Sequence, residues 1–182
     1  RKAFYLGSIL PDCKPSFLST KHEFNGTFLK VKQDIRALVE NLELYENNQR
    51  AFMRHLGEVI HYLADYFTFP HNTIYPGNLK DHCVYEGEMK LYLRQYLLDG
   101  RARAEQKAPV KLASLEQLYA FIQKTHDEYL QMKHSIEEDC CYIVNLCYQV
   151  VTTIIELFTA NCHQAALAQN DMLSGHLLGG TI

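Results

Sequence analysis

The chain has no tryptophan, no block of basic residues, no CxxC pair, no initiator methionine and no apolar leader segment. With 18 basic against 21 acidic side chains, a net charge of -3 and no cluster of Lys and Arg, nucleic acid is a poor candidate partner. Phosphate backbones are held by clustered cations. The six cysteines, Cys13, Cys83, Cys140, Cys141, Cys147 and Cys162, do not read as a disulfide framework. Three of the last four stand at helical positions among apolar neighbours, as small reduced hydrophobes do. Reduced thiols favour the cytoplasm, and secretion stays open because a chain beginning at Arg1 is expected to have lost a leader. No alternating pattern is long enough for a convincing strand, and no repeat is present.

What is there fits one domain over residues 1–182, since domains cluster at roughly 100–200 residues. Hydrophobic residues make up 47% and charged residues 21%, a globular balance. A chain of this size buries about 70% of its unfolded surface, so it needs no metal merely to fold. Residues 1–24, with Gly7, Pro11, Asp12 and Pro15, read as a loop-rich entry with one short helical piece before Pro11. Residues 27–46 carry Phe28, Val31, Ile35, Leu38 and Leu42 at helical steps. A second helix runs from a cap at Asn47–Asn48 to Phe67, with Phe52, Leu56, Val59 and Leu63 on its core side. Pro70 ends it. A third helix begins at 78–79 and stops at Asp99-Gly100, and 101–112 reads as a charged, flexible surface connection. Ser114 caps a fourth helix with Gln117 at capping-box spacing, burying Leu118, Phe121, Ile122, Tyr129 and Met132. The last helix, from Ile136, alternates four-three steps through Cys140, Ile143, Cys147, Val150, Ile154 and Leu157. That is a bundle helix. Asn145, Gln149, Glu156 and Asn161 argue against a transmembrane span over 142–162. Glu137-Glu138-Asp139 reads as a solvated run favoured by the helix dipole, and the tail after Gln169 as frayed. The fold class is all-α, a single-domain multi-helix bundle with a metal cluster between helices.

The chemistry is concentrated in the order His61-x3-Asp65-x5-His71-x10-His82-x3-Glu86, five potential ligands in 26 residues. His61 and Asp65, and again His82 and Glu86, stand one turn apart on one helix face. The loop between the two helices carries His71 into the gap. Neutral imidazole and carboxylate are zinc's ligands, with bonds of about 2.0–2.2 Å, and paired helices offering such pairs can clamp ions. A lone His–Asp pair on a helix is more often a surface hydrogen bond; the density of these residues favours metal. His55 is expected to pair with Glu58 or solvent, and no metal is assigned to His126, His134, His163 or His176. Tyr62, Tyr66, Tyr75 and Tyr85 are read as core or rim packing.

The stretch LGEVIHYLADYFTFPH, followed by DHCVYEGEM, resembles the metal-binding signature of the bacterial zinc-dependent phospholipase C family, whose pattern is H-x3-D-x5-H and then H-x3-E. FYLGSILPD with the later KHEF resembles the family's earlier Asp and His, and the likeness covers about residues 3–90. The resemblance implies that His71, His82 and Glu86 hold one zinc. It implies that His61, Asp65, Asp12 and His22 hold a second, with Asp65 reaching toward the neighbouring ion. The family's third zinc uses an N-terminal Trp and a nearby His, and neither is found here. Either a missing leader supplied that His, or the chain is a two-metal version. Related zinc nucleases close their pattern with Asp, so Glu86 puts this chain on the phospholipase side.

The activity so implied is phosphodiester hydrolysis of phospholipase C type, by a metal-bound hydroxide attacking in line, with Asp12 as general base, water orienter or plain ligand. The partner is then a phospholipid or another phosphodiester, met in a transient contact with a membrane surface. Two other readings stand beside it: a phosphodiesterase for soluble or nucleotide esters, and a non-catalytic helical zinc-binding protein. A closed four-ligand site would mark a structural zinc, whereas seven candidates over two ions leave open positions.

Overall fold

Helices start where an Asn or Ser side chain can accept from the first free backbone N–H groups. Asn48 accepts from the Ala51 N–H at 3.1 Å and opens α4 (Gln49–Tyr66). Asn78 accepts from the Lys80 and Asp81 N–H groups while the Asp81 carboxylate takes the Asn78 N–H, a full capping box that opens α5 (Leu79–Leu98). Ser114 accepts from the Gln117 N–H at 3.3 Å and opens α7 (Leu115–Leu130). The Gln117 side chain takes the Ala113 N–H instead of closing the box on Ser114. The computed structural model describes residues 1–13 and 23–178, with side chains to residue 170. The remaining helices are α1 (Lys2–Cys13), α2 (Phe24–Glu40), α3 (Leu42–Tyr45), α6 (Arg101–Ala104) and α8 (Ile136–Leu178), and there is no strand among the described residues.

The apolar stripes of α2, α4, α7 and α8 converge on one core. Val31, Ile35 and Leu38 meet Leu56, Val59 and Leu63, and Leu118, Ile122, Val150 and Ile154 close it, as apolar faces at helical spacing require. A smaller cluster of Tyr96, Ala102 and Cys140 seats α5 and α6 against the start of α8. The all-α bundle expected from the sequence is the fold.

Several local expectations are corrected. Pro11 does not stop the first helical piece but lies inside α1, in its last turn, where it is buried against the bundle. The helix expected over 27–46 breaks at Asn41, whose side chain accepts from the Leu44 N–H and starts α3. The 101–112 connection is not loose. It begins as α6, the Lys107 N–H donates to Asn145 Oδ1 at 2.8 Å, and Val110 is bound at both its N–H and its carbonyl by the Gln149 amide. Met132 ends exposed, beyond the C-terminus of α7. Asp139 is not solvated but fully buried. α8 continues past Gln169 to Leu178, and residues 179–182 lie outside the described residues.

α8 is, among the described residues, the one helix long and apolar enough to cross a membrane by length and composition, with a mean hydropathy of 1.5 over its best window, a third of it buried in the bundle. Its polar side chains are spent on other segments: Asn145 and Gln149 on the 107–110 stretch, and Asn161 donating to the Val39 carbonyl at 3.0 Å.

Candidate metal centre

The site begins with the packing of α1 on α4. A Cβ on Gly7 would lie 1.9 Å from the Arg54 carbonyl oxygen, and one on Gly57 2.3 Å from that of Phe4. Only glycine permits this approach. It brings the Ser8 carbonyl to 2.9 Å from His61 Nδ1, so that Nδ1–H donates to the backbone. Nε2 then faces outward, 3.2 Å from Asp65 Oδ2 and 3.3 Å from Asp12 Oδ1. Asp12 is more than half exposed, whereas Asp65 and His61 are largely covered. Burial alone would lower the His61 pKa, but the hydrogen bond that its imidazole donates to Asp65 and the charges of Asp65 and Asp12 outweigh it and raise it.

The second half forms around a 3₁₀ turn, Phe69–His71, held in place by Asn72. The Asn72 amide donates to the Tyr66 and Thr68 carbonyls, and its Oδ1 accepts from His126 Nε2–H at 3.0 Å. His126 stacks on Phe24 at 4.1 Å, and its burial drops its pKa to about 4, so it is a neutral donor. The turn and the capping box of α5 together bring His71 Nε2 and His82 Nε2 each to 2.9 Å from the same oxygen, Glu86 Oε1. One ligand atom from each of the three lies within 4.8 Å of the others, a group that could hold a metal ion. Its hydrogen bond from His71, then that from His82, holds Glu86 below the usual carboxylate range against the pull of burial. Burial would lower His71, but the Glu86 hydrogen bond and the charges of Asp65 and Glu86 raise it. Because the charges of both Asp65 and His61 act on His71, the two halves share one electrostatic neighbourhood.

The donor set fits zinc. Three imidazole Nε2 atoms point at carboxylate oxygens, protons standing where a cation would replace them. The Nδ1–H of His61 is fixed by a backbone carbonyl, the outer contact that sets the tautomer of a metal-binding histidine. Of the seven residues singled out in the sequence, Asp12, His61 and Asp65 are gathered in one group and His71, His82 and Glu86 in the other. His22 lies outside the described residues. His55 has Tyr45 Oη 2.6 Å from its Nδ1 and Asp34 3.4 Å from its Nε2. Tyr62 and Tyr66 are core, and Tyr75 and Tyr85 sit half-buried beside His82 and Phe69. A half-enclosed cavity of about 360 Å³ between α7, α8 and Lys107 shares no residue with the centre.

A helical bundle that gathers imidazoles and carboxylates at its helix ends defines a class, the all-α metal-site proteins. Residues 1–136 match the family described as zinc dependent phospholipase C, about three quarters of the chain, and the chain belongs to that family. No curated protein and no solved structure matches it.

Proposed function

We propose that the chain is a zinc-dependent phosphodiester hydrolase of phospholipase C type, with a phospholipid as its substrate. The observation that carries this reading is the pair of groups in one electrostatic neighbourhood, His61 between Asp12 and Asp65, and His71 with His82 on Glu86. His71, His82 and Glu86 would hold one ion, and His61, Asp65, Asp12 and His22 a second. Zinc, when bound, supplies a Lewis acid for the phosphoryl oxygens and lowers the pKa of water. The chain's own part is to fix the Nε2 of His61 through Ser8, to hold Glu86 ionised between two imidazoles, and to leave Asp12 open toward solvent. From there the Asp12 carboxylate accepts the proton of the attacking water. The water oxygen bonds to phosphorus as the bond to the glycerol oxygen breaks, and the leaving alkoxide takes the proton that Asp12 has accepted. The products are diacylglycerol and a phosphorylated head group. Contact with the lipid surface is transient, and α8 serves as a bundle helix.

The test has two parts. Protein purified without chelators is expected to carry about two zinc equivalents by elemental mass spectrometry, and to release phosphorylated head groups from mixed micelles of phosphatidylcholine. Turnover of a soluble diester alone would shift the substrate to water-soluble phosphodiesters. Absence of stoichiometric metal would overturn the reading.

A further inference from the structure

Asp139 stands near the start of α8, fully buried, past the end of the family match. Its Oδ2 accepts from the Phe69 N–H at 2.8 Å and from the Tyr85 hydroxyl at 2.9 Å. Its Oδ1 accepts from the Tyr129 hydroxyl at 2.7 Å. Burial and the neighbouring carboxylate push both phenols up, so each keeps its proton to donate.

Two of these three donors belong to the metal centre's framework. Phe69 opens the turn that ends at His71, and Tyr85 immediately precedes Glu86. One carboxylate oxygen therefore joins the turn bearing His71 to the helix bearing His82 and Glu86. The other oxygen is tied to α7, which carries no ligand. Phe69 is also held from its ring side, stacked on His134 at 4.3 Å.

From this geometry we infer that Asp139 is a positioning residue that sets the spacing of His71 against Glu86. This role rests on the proposed metal centre. Burial pushes the Asp139 pKa up while its three hydrogen bonds pull it down; a buried carboxyl needs such bonds to be tolerable, and two of them are placed across the seam that the centre bridges. Outer contacts of this kind commonly change metal affinity by about 10–100-fold.

The two phenols allow a clean test, because each gives one hydrogen bond to the same carboxylate. Tyr85→Phe is expected to weaken zinc retention, measured by competition with a chromogenic chelator, by about tenfold for one equivalent. It should also alter the visible spectrum of the cobalt(II)-substituted protein, which reports ligand geometry. Tyr129→Phe should lower the melting temperature and leave zinc affinity and that spectrum as they were. Asp139→Asn, which still offers an oxygen to Phe69 and Tyr85, is expected to retain more zinc than Asp139→Leu. Equal zinc affinity in the two Tyr variants would overturn the role while leaving the centre intact. A wild-type chain that holds no zinc would remove the centre and this role together.

Discussion

Gly7 and Gly57 face one another where α1 crosses α4, each closer to the opposite backbone than a Cβ could come. In an open helix, replacing glycine with alanine is favourable by about 1 kcal/mol. At this crossing the added methyl meets backbone that cannot turn aside, so the sign reverses. Gly57→Ala is expected to destabilise the protein by about 2–3 kcal/mol, as overpacking does. If the His61 group holds a zinc as proposed, that ion should be released first, since that crossing holds Ser8 against His61. Urea unfolding together with metal analysis checks both. An unchanged midpoint would mean that the helices can part without cost.

Glu86 takes two imidazoles on one oxygen. Glu86→Gln removes the charge and is expected to lose one zinc equivalent, with kcat/KM falling by about two orders of magnitude or more. Circular dichroism should stay helical, because Glu86 is half-open to solvent and caps nothing.

His126 gives a pH signature. Its pKa is lowered from 6.5 to about 4 in the folded chain, by burial first. A depressed pKa in the folded state means that the contribution is complete above about pH 6.5 and is lost as the pH falls toward 4. A shift of this size corresponds to about 3 kcal/mol at most. The chain with His126→Gln should therefore lose less stability than wild type between pH 6.5 and 4, read as the difference in melting temperature. Taking that difference removes the carboxylates, such as Asp34 and Glu86, that also titrate in acid.

Chelation should reveal the opposite sign. His61 and His71 have raised pKa values when no ion is bound. Their contribution is complete below the unfolded value of about 6.5 and is lost as the pH rises through their folded values. Metal-free protein should melt lower at pH 8.5 than at pH 6, while the zinc-loaded form gains, because zinc displaces those protons. A metal-free melting temperature that rises over this interval would contradict the ion pairs.

The parts of the fold legible in the sequence are those written within one turn or one face. Asn48, Asn78 and Ser114 cap their helices because the donors they satisfy are two or three residues away. The pairs His61–Asp65 and His82–Glu86 are legible for the same reason, since helical geometry puts i and i+4 together. Contacts between distant segments leave no such spacing. Ser8 meets His61 across 53 positions, Asn72 meets His126 across 54, and Phe69 meets Asp139 across 70. Asp139 also follows two glutamates, and that company made it look like part of a solvated face. Gly7 carried an equally misleading sign, reading as a turn former when its missing side chain serves a crossing.

The Gln149 side chain binds Val110 through both halves of one amide, receiving its N–H at 2.7 Å and giving to its carbonyl at 2.8 Å. That is a single rung of the kind that joins two β-strands, built here from a side chain. The stretch between α6 and α7 is thus a belt buckled at two points, Lys107 on Asn145 and Val110 on Gln149: its Val110 amide should resist solvent exchange while exposed Pro109 and Lys111 flank it. Extra residues spliced in after Val110 would lengthen the strap and leave both buckles closed.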